Sequence, residues 1–549
     1  MSRWPSTAGR RSGRRAYWPS ALGAAGWHNV ALGLAGSVAM AVSGSEVITG
    51  YDGRSTRWWL SPAIPPQAGQ LGNYLVCYAG MASMALAWLA VLRRLRRSEQ
   101  LRSADLVALG AVWALPLLAG PPLFSRDIYS YLAQGMLAHL QLSPYQYPPA
   151  VLGVVGFGNL LKVVSPVWRM TTAPYGPVFL WLAGWLAGVS GGHVTGGVVL
   201  FRVAELTGIA LLVTCLPKVA ELLGASSREA LWVGALSPVV MFELLSSGHN
   251  DAIMVGLLCA GLLAALKRWP LVGVALCSAA TLFKLPALVV AGFIAWSWAR
   301  EQGQFRAKVA ACAAASGVAA ATLAVGSALT AGFGWISTSV VSVPDKVSTP
   351  ISPTKSLASL LHLVTGLLGM GIPGSTLSGV VRGAAMALGA VAVIALLWPV
   401  ERRTLVPRAG AAMVVLALLG SDAWPWYLTW GVAPLAAWRP AQRSWPLLGA
   451  AALYPFVVTP AGQVAVPGAV APAVAFAWAG LAFAFWKAYR RPPGQGPRTG
   501  RRAHHLGHPR WRVLMASPVS RPVPQSPPQP VTTSLVPAAG ARPGEAAGA

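Results

Sequence analysis

The sequence predicts an all-α protein, a polytopic transmembrane helix bundle of about 14 spans. Three observations predict it. First, 55% of the 549 residues are apolar and the mean hydropathy is +0.56. Second, only 10% are charged, where a soluble domain carries about a quarter. Third, apolar runs approaching bilayer thickness recur from residue 27 to residue 487, with Arg and Lys between them. A soluble enzyme of this size needs more charge on its surface. A disordered chain would be poor in apolar residues.

The expected spans are 27–48, 71–92, 104–120, 197–222, 229–247, 252–267, 269–284, 286–299, 309–331, 375–399, 404–421, 427–438, 445–460 and 467–487. Basic clusters follow every second span: Arg93 to Arg102, Lys218 with Arg228, Lys267 with Arg268, Arg300 to Lys308, Arg402 with Arg403, and Arg439 with Arg443. The positive-inside rule puts these on the cytoplasmic side. The stretch Tyr175–Val189 breaks that parity, so it is expected as an interfacial or re-entrant helix on the outer side. Outer loops are expected at 121–196 and 332–374, the first with helices lying along the membrane surface. Segment 1–26 reads as a basic cytoplasmic N-terminus, 27–488 as the membrane domain, and 489–549 as a disordered, Pro-rich cytoplasmic tail.

The net charge of +27 is the balance of a nucleic-acid binder. Here the bases sit between spans and in the tails, so no nucleic-acid partner is expected. Cys77, Cys215, Cys259, Cys277 and Cys312 all fall in apolar stretches and read as buried hydrophobes, without a disulfide framework or a zinc site.

Five of the six Asp residues, Asp52, Asp127, Asp251, Asp345 and Asp422, fall at outer span ends or in outer loops. Carboxylates this rare, gathered on one side, point to a site facing out of the cytoplasm. In Ser125-Arg126-Asp127-Ile128-Tyr129-Ser130-Tyr131, a carboxylate beside an Arg and two Tyr suits removal of a proton from an incoming hydroxyl. It equally suits a helix N-cap paired with Arg126. His249-Asn250-Asp251 offers donors for phosphate or sugar, or alternatively a capping turn. His249 and Asp251 alone are too few ligands to specify a metal. Lys284 at a span end is placed either to snorkel or to hold a lipid phosphate. Arg169 is a further phosphate candidate, and Arg202 with Glu205 has the spacing of an i, i+3 pair. The aromatics of Asp422-Ala423-Trp424-Pro425-Trp426-Tyr427 suit belt anchors, sugar stacking or an isoprenoid grip.

These segments, with Ser143-Pro144-Tyr145, Ala173-Pro174-Tyr175-Gly176-Pro177, Gly248-His249-Asn250-Asp251 and Phe283-Lys284-Leu285-Pro286, together resemble the polytopic GT-C glycosyltransferases. In layout over residues 27–488 the chain is most similar to the actinobacterial polyprenyl-phosphomannose-dependent alpha-1,6-mannosyltransferases of lipomannan and lipoarabinomannan assembly. The resemblance implies an inverting transfer of mannose from a polyprenyl-phosphate donor to a glycolipid or lipoglycan acceptor at the outer face of the plasma membrane. It implies Asp127 as general base, and Lys284, His249, Arg126 and Arg169 as groups for the donor phosphate. Tyr129, Tyr131, Tyr175, Asn250, Asp251, Asp422, Trp424 and Trp426 become candidate substrate contacts. No cofactor is expected, and a divalent cation is left open. The rival from another class is a transporter or flippase of lipid-linked saccharides. Transporters place ionisable groups near the midplane and commonly carry repeats, whereas here the acids lie at outer ends and no repeat is visible.

Overall fold

The structure is a computed structural model that describes residues 23, 25–52, 69–97, 100–337, 349–420, 423–464 and 468–479. Segment 1–26 lies almost wholly outside the described residues. Tail 489–549 lies wholly outside them, as do Asp345 and Asp422.

The fold is helical throughout. In chain order the principal helices are α1 (Trp27–Asp52), α2 (Gly69–Arg97), α3 (Ser103–Ala119), α4 (Asp127–His139), α5 (Pro177–Ser190), α6 (Val194–Leu222), α7 (Asp251–Leu266) and α8 (Pro270–Thr281). They continue with α9 (Ala287–Arg300), α10 (Phe305–Ala328), α11 (Pro353–Leu367), α12 (Gly374–Leu397), α13 (Leu405–Leu419), α14 (Pro425–Ala436) and α15 (Trp445–Leu453). Between α6 and α7 runs a helical segment, Ser227–Ala235 and Val240–Ser246, bent by 56°. The only β feature among the described residues is an isolated bridge between Val458 and Val464.

Each expected span coincides with a helix, the last as far as it is described. By length and apolarity, however, four helices among the described residues suffice to cross a bilayer, α2, α6, α10 and α12, or five with the bent segment counted as one. Shorter apolar helices, such as α7 to α9, account for many of the rest. Proline is the physical reason at several boundaries: Pro270 and Pro425 occupy first-turn positions of α8 and α14, where the missing N–H costs nothing. They cut continuous apolar sequence into short helices.

The bundle has two distinct ends. Arg96 pairs with Glu229 at 2.9 Å and donates to the Gln442 carbonyl. Arg228 donates to the Leu101 carbonyl, and Arg300 to that of Trp398. These basic connections gather at one end of the bundle. Asp105 there pairs with Arg102 at 3.4 Å, closing the start of α3. From this end α3 runs toward the segment that carries Asp127, and α7 runs back from Asp251.

Two apolar clusters hold the chain together. The larger unites α1 to α3, α6, the bent segment, α7 to α9 and α13 to α15. Trp88 and Trp232 each donate an indole N–H to the other's carbonyl at 3.1 Å, tying α2 to the bent segment. The second cluster joins α4 and α5 with Leu152, Leu160, Trp168 and Trp335. It forms a layer over one end of the bundle and seats Asp127.

Small residues bring α4 and α5 into close contact. A Cβ on Gly135 would lie 2.3 Å from the Ala183 carbonyl oxygen, and one on Gly184 would lie 3.1 Å from the Ala138 Cβ. Helices in lipid use such small faces because van der Waals packing drives their association. Gly135→Ala must push α5 away, since the obstacle is backbone. We expect a loss of about 1–3 kcal/mol, read as a lowered melting temperature of the detergent-solubilised protein. Unchanged melting would refute the close contact.

Candidate active site

Asp127 stands in the first turn of α4, and its backbone N–H donates to Ser125 Oγ at 3.1 Å. The approach is tightly held. Phe124 adopts φ 65°, a left-handed conformation costly for a bulky residue, and its N–H donates to the Pro460 carbonyl at 3.0 Å. Gly462, at φ +78°, lies so close to the Ser125 backbone that a Cβ would come within 2.9 Å of its Cα. The 459–464 turn therefore clamps the strand of chain that presents Asp127.

Asp127 opens onto a cavity of about 720 Å³. The indole N–H of Trp168 donates to its Oδ1 at 2.9 Å, and His249 Nδ1 stands 3.8 Å from its Oδ2. Burial pushes the Asp127 carboxyl up to about 6, against the opposing pull of the Lys284 ammonium and the Trp168 hydrogen bond.

Lys284 faces the same cavity. Its Nζ is 2.7 Å from Asp251 Oδ2 and lies over the rings of Tyr427 (4.7 Å) and Trp430 (5.6 Å). Trp430 donates its indole N–H to the other Asp251 oxygen. Asp251 is fully buried and is thus a fixed anchor for the lysine. Trp424, Trp426 and His249 stack as a ladder, with centroids 4.7 and 4.0 Å apart. Leu285, Leu288, Val289 and Leu416 give the cavity an apolar wall. One chamber thus offers a carboxylate, an ammonium, aromatic faces and a lipid-like wall.

The structure brings Asp127, Arg126, Lys284, Tyr175, Trp424 and Trp426 to the cavity lining. Other candidates lie outside that lining. His249 is fully buried beneath Trp426 and outside the lining. Burial, then the Lys284 charge, holds its imidazole well below the usual histidine range. Arg169 turns to the carbonyls of Val164 and Lys162, away from the cavity lining. Arg126 reaches the lining but donates to the carbonyls of Val163 and Lys162, not to Asp127. Tyr129, Tyr131, Asn250 and Asp251 are buried behind the lining. Tyr131 Oη lies 3.3 Å from His249 Nδ1 and 3.4 Å from Asn250 Oδ1, supporting the site from below. Asp422 lies outside the described residues.

Arg202 and Glu205 do not hydrogen-bond as an i, i+3 pair. Arg202 donates to the carbonyls of Leu118, Gly120 and Ser246, and neither Glu205 oxygen has a hydrogen-bond partner among the described residues. Among those residues no three His, Cys, Asp or Glu side chains converge to hold a metal ion. Sequence reasoning missed Trp168 and Trp430. Trp430 carried a usable signal, one helical turn beyond Trp426, whereas nothing local marks Trp168.

Comparison with known proteins identifies the relatives of this arrangement. A family model described as "Alpha-(1->6)-mannopyranosyltransferase, N-terminal domain" matches residues 30–300, and one described as "MptB C-terminal domain" matches 354–487. Alpha-(1->6)-mannopyranosyltransferase A of Mycobacterium tuberculosis is 34% identical over 387 residues, 68% of this chain and 73% of the relative. The chain belongs to this family. Its members include Alpha-(1->6)-mannopyranosyltransferase A of Corynebacterium glutamicum, 32% identical over 392 residues (66% of this chain, 79% of the relative). The B enzyme of that organism is 26% identical over 529 residues, 88% of this chain and 84% of the relative. No solved structure matches the chain.

Proposed function

We propose that the protein is an inverting GT-C mannosyltransferase. It moves mannose from a polyprenyl-phosphate donor to a lipid-anchored mannan or glycolipid acceptor and forms an alpha-1,6 linkage. It works at the outer face of the plasma membrane as a multi-pass protein. One observation carries the reading: Asp127 and Lys284 face a single cavity, which Arg126 also lines and to which Trp424, Trp426, Tyr427, Leu285, Leu288 and Leu416 give aromatic and aliphatic wall. The activity for which the family is named supplies the sugar and the linkage. The gathering of basic connections at the end away from Asp127 supports the outer orientation.

In this mechanism the acceptor hydroxyl attacks the anomeric carbon of the mannosyl phosphate. The bond from that carbon to the phosphate oxygen breaks, and polyprenyl phosphate leaves with the electron pair. Asp127 takes the hydroxyl proton. Lys284, fixed by Asp251, stabilises the charge growing on the phosphate, which is where preorganised electrostatics lowers a barrier. The aliphatic wall receives the isoprenoid, and the Trp424–Trp426 ladder offers a face to the sugar. Trp168 orients the Asp127 carboxylate.

The pH dependence follows from Asp127. Its raised pKa of about 6 means that it is a base only above that value and is protonated below it. Activity is expected to be level above pH 7 and to fall about tenfold per unit below pH 6. The assay feeds membranes with radiolabelled polyprenyl-phosphate mannose and an oligomannose acceptor. Absence of transfer, or lipid movement in liposomes without new glycosidic bonds, would overturn the proposal in favour of a flippase.

A further inference from the structure

A second cavity, of about 290 Å³, lies at the basic end of the bundle and takes no part in the chemistry above. Arg268, Pro270, Ser297, Glu301, Gln302 and Arg402 line it. They come from the end of α7, the start of α8, the end of α9 and the approach to α13. α9 begins three residues after Lys284 and ends here, 14 residues further on. The cavity therefore lies about 20 Å from the Lys284 site.

Arg268 occupies an unusual place. α7 ends at Leu266 and is closed by two bonds, from the Trp269 N–H to the Ala264 carbonyl at 2.9 Å and from the Arg268 N–H to the Ala265 carbonyl at 3.0 Å. This closure needs a left-handed residue between them, and glycine is its ordinary occupant. Arg268 stands there with φ 67°, a conformation that strains any residue with a Cβ. The helix end alone predicts glycine, so the guanidinium calls for a reason beyond the helix end.

The cavity supplies one. Arg402 Nε stands 3.7 Å from Glu301 Oε1, so the one carboxylate of the lining among the described residues is already matched. Arg268 has no hydrogen bond or ion pair among those residues, and it is the surplus charge of the lining. Ser297 is buried yet lines the cavity, and its hydroxyl has no hydrogen-bond partner among the described residues. Gln302 is held in place by donating its amide N–H to the Trp298 carbonyl at 3.1 Å. Two guanidinium groups and an unused hydroxyl in one enclosed space suit an anion with several acceptor oxygens.

The rim says what carries that anion. Trp269, between Arg268 and Pro270, is exposed, and so are Leu271 and Val272 in the first turn of α8. Trp398, whose carbonyl accepts from Arg300 and Trp296, and Phe305 are exposed at the same end. Exposed indoles beside basic side chains mark the depth of lipid headgroups. Basic pockets between helices at that depth take anionic headgroups, and the aliphatic rim suits the chains attached to them.

We propose that this cavity binds the phosphate of an anionic glycerophospholipid from the leaflet at the basic end, which is the cytoplasmic leaflet in the orientation proposed above. Arg268 and Arg402 hold the phosphate oxygens, and Ser297 donates to one of them from below. The lipid thereby ties the ends of α7 and α9 to the start of α13.

The test uses the full-length protein in nanodiscs of phosphatidylcholine with a minor fraction of phosphatidylglycerol. Lipid retained after transfer to detergent is read by native mass spectrometry, and wild type is expected to retain phosphatidylglycerol. Arg268→Gly is the deciding variant, because glycine fits the left-handed position. Its melting temperature in lipid-free detergent is expected to be no lower than that of wild type. It is expected to retain at least about tenfold less phosphatidylglycerol, with phosphatidylcholine retention unchanged. Lys308→Gln removes one positive charge near the same end but outside the lining, and is expected to retain phosphatidylglycerol as wild type does. Equal retention by Arg268→Gly and wild type would overturn the proposal. An equal loss in Lys308→Gln would also overturn it, reducing the binding to diffuse charge. Displacement of the lipid by millimolar inorganic phosphate would overturn it too, making the cavity a simple anion site. The readout is independent of mannosyl transfer, so its outcome and that of the proposed activity are separable.

Discussion

Asp127→Asn is expected to lower kcat/KM for mannosyl transfer by about 10³-fold while leaving the protein folded. The magnitude is that of a positioned general base. The fold should survive because asparagine is nearly isosteric and its carbonyl oxygen still accepts the Trp168 indole N–H that Asp127 Oδ1 accepts at 2.9 Å. No buried charge loses a partner, and Ser125 still receives the backbone N–H at 3.1 Å. What disappears is the lone pair able to take a proton from the acceptor. Radiolabel transfer and thermal melting in detergent, measured on the same preparation, separate the two effects. Melting as in wild type with transfer reduced about 10³-fold is the expected pair of results. Transfer at the wild-type rate would remove Asp127 from the chemistry. The acid limb near pH 6 must vanish from the residual activity, because the group that titrates there is gone.

The sequence made the helical class and the two ends of the bundle legible for a simple reason. Both depend on local composition: apolar runs, prolines at helix starts, and Arg between spans. The same holds for Asp127 and Lys284, rare charges beside apolar stretches. What stayed hidden is where each side chain turns once the helices pack. Trp430 meets Asp251 across 179 positions of sequence, and Trp168 meets Asp127 across 41. Neither spacing has a period. His249 illustrates the gap: as a residue in a polar tripeptide it reads as a donor for phosphate or sugar. Packing places Trp426 over its ring at 4.0 Å, and burial keeps it neutral. Arg169 makes the same point, because the carbonyls of Lys162 and Val164 take its donors. Helix lengths were likewise hidden, because hydropathy averages over proline-broken segments that the backbone treats as separate short helices.

The second large effect is expected from Lys284→Met, and it divides into two measurable parts. Transfer should fall by about 10²–10³-fold, as when one preorganised group facing the developing charge is removed. Stability should fall as well, by about 3–5 kcal/mol, because Asp251 then stays buried without its counter-ion. A loss of activity in this variant alone would therefore not distinguish a phosphate ligand from a fold support. Adding Asp251→Asn resolves it. The neutral amide still accepts the Trp430 N–H and no longer demands a cation, so the double variant should melt close to wild type. Its transfer should remain as low as that of Lys284→Met, because the leaving phosphate still has no ammonium facing it. Recovery of transfer together with stability would mean that the lysine serves only to neutralise Asp251. The charge needed by the departing polyprenyl phosphate would then have to come from elsewhere, with Arg126 the other cation of the cavity lining among the described residues.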